Sequence, residues 1–128
     1  FSGSNVDIKN SHFANIRDKA VSVGESSIVD LKNITINDVG VGIASKDGSN
    51  VSASNIKIHG FTLYAAMTYI KKSFYDQPSF TGVDIQINPI KEDAFIAQEK
   101  TFMSVNYEHI DSKQIDVEAL YKDGVMKK

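Results

Sequence analysis

Cysteine is absent from this chain of 128 residues, so neither a disulfide framework nor a thiolate metal site is available to it. No apolar run approaches the ~18 residues needed to cross a bilayer, and no membrane span is expected. Arginine occurs once, at Arg17. Fourteen basic against 16 acidic residues give a formal net charge of -2, without the basic stripe of a general nucleic-acid binder. Nucleophile elbows, phosphate loops, zinc motifs and nine-residue calcium repeats are missing, so the sequence calls for no cofactor and no metal. The three histidines, His12, His59 and His109, lack metal-ligand spacing. What remains is the composition of one ordinary globular domain, 41% hydrophobic and 23% charged. The chain opens on Phe1 rather than methionine and reads as a processed form or an excised fragment.

What is present is a repeat. Val6-Asp7-Ile8-Lys9-Asn10 returns as Val29-Asp30-Leu31-Lys32-Asn33, as Val51-Ser52-Ala53-Ser54-Asn55 and, more loosely, as Val83-Asp84-Ile85-Gln86-Ile87. The valines are 23, 22 and 32 residues apart. A period in this range marks a solenoid, whose turns bury their apolar faces only by stacking. Alternation of Val6 and Ile8 with Asp7 and Lys9 places one face inside and the other in water. A second short strand ends at Phe13, Ile36 and Ile58, and a third covers 20–23, 42–45 and 64–67. Asn, Asp and Gly separate them, as bends require. Twenty-two residues at ~3.3 Å each give a path of roughly 70 Å, enough for a three-sided coil. Stacked equivalent strands run parallel, and parallel connections are right-handed almost without exception. The expectation is an all-β fold: a right-handed parallel β-helix of about four coils over 1–97, with an irregular C-terminal cap at 98–128.

Asn10, Asn33 and Asn55 are expected to stack as an amide ladder at one bend, with Asn33 pointing inward. The acceptor patterns Asn33-Ile34-Thr35 and Asn50-Val51-Ser52 lie inside the repeat and are discounted as glycosylation sites. Asp7, Asp30 and Asp84 fall at one repeat position, where Lys9 and Lys32 neutralise their face diagonally.

The run Asp18-Lys19-Ala20-Val21-Ser22-Val23-Gly24-Glu25, followed by Gly42-Ile43-Ala44-Ser45-Lys46-Asp47, resembles the coils of right-handed parallel β-helix repeat proteins of the pectate-lyase-like superfamily. The resemblance covers residues 4 to about 97 and concerns the fold; its motifs name no activity. It implies the setting of bacterial secreted, surface and phage proteins, an extracellular or cell-surface location, and polysaccharide as the partner class.

The long third interval places an insertion around Thr68 to Ser79. Tyr64, Tyr69, Phe74 and Tyr75 gather there beside Lys71, Lys72 and Asp76. Aromatic faces and charged groups suit a sugar ring with an acidic substituent; the alternative is a loop folded back to cover the coil. Tyr64, Tyr69, Lys71, Lys72, Tyr75, Asp76 and Arg17 are therefore the candidate ligand-binding residues. A short helix is expected over 115–121, stopped at Gly124. Nothing at the N-terminal end resembles a cap, which leaves an open end for preceding coils of a longer parent or for an oligomer contact.

The first functional reading is a non-catalytic structural or adhesive segment of a larger secreted or surface protein, in contact with polysaccharide. A polysaccharide lyase, hydrolase or epimerase fragment is the alternative, with Lys71, Lys72, Tyr69 and Arg17 as base or charge-neutralising groups and the catalytic set itself unidentified. A trimeric phage tail spike is a third.

Overall fold

The computed structural model describes residues 1–122, 124 and 126. It is a parallel β-solenoid of about four turns, with 66% of residues in strands and one short helix. Three long strands each make most of a turn: β1 Asn5–Val23, β2 Ile28–Lys46 and β3 Asn50–Tyr69. β4 Ser79–Asn88, β5 Phe95–Gln98, β6 Phe102–Val105, β7 Glu108–His109, β8 Ser112–Lys113 and helix α1 Val117–Lys122 follow. β1, β2, β3, β4 and β6 stack in that order, β5 stacks on β3, and β8 on β5; every pairing is parallel except the β6–β7 hairpin.

The strands bend where the backbone turns left-handed. Asn10, Asn33, Asn55 and Asp84 have φ of 53°, 55°, 53° and 57° at the first bend. Asn15, Asp38 and Gly60 have 58°, 56° and 78° at the second. That region costs most residues roughly 1–2 kcal/mol, while Gly, Asn and Asp enter it readily. At position 60 a Cβ would stand 2.5 Å from Asp38 Oδ1, so an Asn or Asp there would require the Asp38 side chain to move.

Inward rows run down the stack as Val6/Val29/Val51/Phe80/Met103 and Phe13/Ile36/Ile58/Ile87. These rows correct the fourth repeat. Val51 pairs with Phe80, Ser54 with Val83 and Ile56 with Ile85, so the third interval is 29 residues and not 32. Asp84 therefore shares the bend of Asn55 and does not continue the Asp7/Asp30 row, which passes to Ser52 and Thr81. The inserted loop is 70–78, where the preceding coil has only 47–49.

The amide ladder is present: Asn33 Nδ2 donates to Asn10 Oδ1 at 3.1 Å, and Asn55 Nδ2 to Asn33 Oδ1 at 2.7 Å. It lies on the surface, however, so Asn33 points outward. A left-handed residue at the corner turns its side chain away from the core, leaving the aliphatics on either side to fill it.

The third wall of the coil is buried on both sides. Its inner row is Val21/Ile43/Ala66, and its outer rows carry Val41, Ala44, Met67, Tyr69 and Ile96. Against those outer residues pack Val117, Leu120, Tyr121 and Met126 from the C-terminal segment. Helix α1 thus lies across the flank of the coils, not over their end. Asp116 starts it by accepting the Ala119 N–H at 3.0 Å, and Gly124, at φ 74°, donates back to Tyr121 O.

Candidate functional site

The third corner, between the flank wall and the next coil, is where the regular turn is interrupted. Glu25 and Asp47 occupy it in successive coils, both left-handed at φ 54° and 50°. Asp47 is buried, 1% exposed, and its Oδ1 accepts the backbone N–H groups of Lys71 and Lys72 at 2.7 Å each. Gln98 Oε1 accepts the N–H of Ile70, also at 2.7 Å. Three consecutive amides at the start of the inserted loop are thus held by two side chains. Burying a carboxylate is costly unless hydrogen bonds replace its water, and here two amides do so.

The loop is fastened a second time through Lys72. Its Nζ donates to Glu25 Oε1, and Ser2 Oγ donates to Glu25 Oε2 at 2.6 Å. The hydrogen bond from Lys72, followed by that from Ser2, holds the Glu25 carboxyl below the ordinary range, while Glu25 raises Lys72. Both groups are solvent-exposed, so this pair orients the loop more than it stabilises the fold.

Beyond these anchors the loop turns out into solvent. Phe74 and Tyr75 lie ring against ring at 4.7 Å, with Phe74 79% exposed. Ile70, Ser73, Tyr75, Asp76, Gln77 and Lys100 line a cleft of about 580 Å³ between the loop and the β5–β6 turn. On the other side of Ile70 a wider groove of about 850 Å³ runs along α1, bordered by Lys71, Gln98, Asp116, Glu118, Tyr121 and Lys122.

The seven candidate residues divide among these places. Tyr75 and Asp76 share the smaller cleft. Lys71 borders the larger one, its Nζ 4.6 Å from the centre of the Tyr121 ring. Lys72 is engaged with Glu25. Tyr69 is fully buried, its hydroxyl 2.6 Å from that of Tyr121, and burial pushes its pKa far up. A phenol so placed is neither a base nor a platform for a sugar. Tyr64 is half-buried in the flank, away from the loop; burial and then Asp93 raise its pKa. Arg17 is exposed at a different bend, where its carbonyl lies against Gly40. The aromatics that crowd together in the sequence are therefore separated: alternation sends Tyr69 beneath the helix, while Tyr75 lies half-buried on the loop beyond the end of β3.

Lys100, Gln98 and Tyr121 belong to the site and are not evident in the sequence, whereas Asp47 is legible there as an acid at the bend equivalent to Glu25 but without its task. The partners of Gln98, Asp47 and Tyr121 lie 17 to 52 residues away and meet only through stacking of the coils and the return of α1. Lys46 completes a cationic edge. It lies over Gly24, and burial, followed by Lys71 and Lys19, lowers its pKa. Lys19 pairs with Asp18 at 2.9 Å and stands 5.4 Å from the Tyr121 ring centre. Elsewhere His12 Nε2 and Asn37 Nδ2 are 2.8 Å apart, and His109 rests against Phe102. Among the described residues no group of three His, Cys, Asp or Glu is placed to hold a metal ion.

No protein-family model, curated protein or solved structure matches the chain.

Proposed function

We propose that the chain is a structural and adhesive β-solenoid segment of a larger secreted or cell-surface protein, and that it contacts polysaccharide at the cleft beside Tyr75. The observation that carries this reading is the anchored loop: Asp47 and Gln98 hold residues 70–72 while Tyr75 and Asp76 face a cleft shared with Lys100. An aromatic ring beside a carboxylate, an amide, a hydroxyl and an ammonium is a chemistry that suits a sugar ring and its hydroxyls. Lys100 adds a cation for an acidic substituent. Because the base of the loop is fixed at residues 70–72, less conformational entropy would be lost when a ligand settles on it than on a wholly free loop.

The test is a titration of acidic and neutral polysaccharides, read by glycan array and then calorimetry. Tyr75→Ala should weaken binding by about 3- to 10-fold, the worth of one aromatic contact. Lys100→Ala should weaken only the acidic ligands. Silence across both classes removes the saccharide contact.

A further inference from the structure

The free edge of β1 is an unfinished surface of the coil stack. Val6, Ile8, Phe13 and Ile16 are only half-buried, whereas their partners one coil down, Val29, Leu31, Ile36 and Val39, are 1%, 0%, 0% and 2% exposed. The difference is that the β2 residues have a coil on both sides and the β1 residues on one. Two observations say what fits on the other side. First, residues 1–4 already run in the layer beyond β1 and in the parallel sense. Gly24 donates to Phe1 O, Gly3 to Glu25 O and Ile28 to Ser4 O, each at 2.8 Å, and Ser2 bridges Gly24 in parallel register. Second, the amide ladder has a direction. Each asparagine donates toward the N-terminal side, Asn55 to Asn33 and Asn33 to Asn10. The same polarity leaves Asn10 Nδ2 as the ladder's unused donor among the described residues, aimed at the layer of residues 1–4.

We propose that the β1 edge is an interaction surface whose occupant is a further β-solenoid turn. That turn enters through Phe1–Ser4 in parallel register, sets aliphatic side chains over Val6, Ile8, Phe13 and Ile16, and presents an Asn or Asp oxygen to Asn10 Nδ2. A second copy packed edge to edge meets an obstacle, because residues 1–4 of each molecule already stand in the layer that the other would use. The inference deepens the scaffold reading and rests on it. Its readout involves no saccharide, so it can fail while polysaccharide binding stands, and the reverse.

The register specifies the experiment. Phe1 lies over Val23, which pairs with Ser45 and, through it, with Thr68. A copy of residues 28–44 placed directly before Phe1 therefore forms an in-register coil with its own asparagine over Asn10. A copy of residues 50–67 does the same with a different sequence. Each extended chain should remain monomeric by light scattering and melt higher than the parent, by about 5 °C or more. Asn10→Asp retains the oxygen that Asn33 needs and removes the donor, so it should leave the parent's melting point nearly unchanged and diminish the gain in both extended chains. The proposal is overturned if neither extension raises the melting point, or if the gain ignores Asn10→Asp. It is equally overturned if the parent forms a dimer that the extensions abolish, since the occupant is then a second copy.

Discussion

At the C-terminal end of the stack the chain closes its own edge, whereas at the N-terminal end the 19-residue β1 pairs with β2 along one edge and, among the described residues, has no strand along the other. The closing device is β6 with its hairpin. β6 pairs in parallel with β4 and then turns back antiparallel through Asn106 and Tyr107, both left-handed at φ 51° and 70°. Asn106 reaches the bend below it: Oδ1 accepts the Ile85 N–H at 2.9 Å and Nδ2 donates to Ile85 O at 3.0 Å. One side chain thus imitates the backbone of a missing coil. Edge strands invite pairing unless they are blunted, and only one end of this molecule is blunted. Asp84 contributes as well, because a carboxylate at the last bend cannot donate to Asn55 and the ladder stops there.

The largest expected effect comes from putting a charge into the same kind of row at the two depths. Ile36→Asp should abolish cooperative unfolding or cost on the order of 4 kcal/mol or more, because the carboxylate has no partner in the core. Ile8→Asp, at the open edge, should leave a folded protein with a measurable urea midpoint. Equal damage at both positions would show that the N-terminal edge is closed. Next is Asn106→Ala, which removes two hydrogen bonds and places alanine in a left-handed conformation, at a cost of about 2–3 kcal/mol by urea titration. Asn106→Gly should recover the conformational part only. Within the ladder, Asn33→Ala should cost about 1–2 kcal/mol, the exposed amide contributing less than a buried one. Asn33→Gly should cost less than alanine; the opposite order would contradict the left-handed bend.

The smallest effect is the fastening of the inserted loop by Glu25 and Lys72. Glu25 has its pKa lowered from 4.5, so its contribution is complete above that value and is lost as pH falls through the lower folded value. Lys72 has its pKa raised from 10.5, so its share is complete below that value and is lost as pH rises through the raised one. A carboxyl titration by NMR should find Glu25 below 4.5, returning toward it in Lys72→Met. A Glu25 midpoint at or above 4.5 would remove the fastening.

Repetition was legible where neighbouring coils use the same side chains, as at Val6, Val29 and Val51. It misled at the fourth coil, where Phe80 replaces valine and Gly82 leaves room for Phe80 and Ile85; a Cβ there would stand 2.7 Å from Ile85 Cγ1. The eye then takes Val83-Asp84 for the repeat, although Asp84 belongs with the asparagines because both tolerate the left-handed bend. The doubly buried flank left one sign, the unbroken apolar run Ala65-Ala66-Met67 in place of alternation. The helix expected over 115–121 forms at Val117–Lys122. Of the site, Tyr75 and Asp76 were visible as composition, and Asp47 as an acid at the bend equivalent to Glu25. The task of Asp47 was not, nor were Gln98 and Lys100, since an ordinary acid, amide or lysine acquires its task only when distant coils meet.

Coil stacks ordinarily come apart one turn at a time, because each turn touches only its neighbours. Residues 115–121 together with Met126 work against that here. The side chains of Ile115, Val117, Leu120, Tyr121 and Met126 reach Lys19 in the first turn, Val41 and Ala44 in the second, Met67 and Tyr69 in the third and Ile96 in the fourth. Such a strap links turns that would otherwise meet only their neighbours, which favours their melting together over unzipping coil by coil.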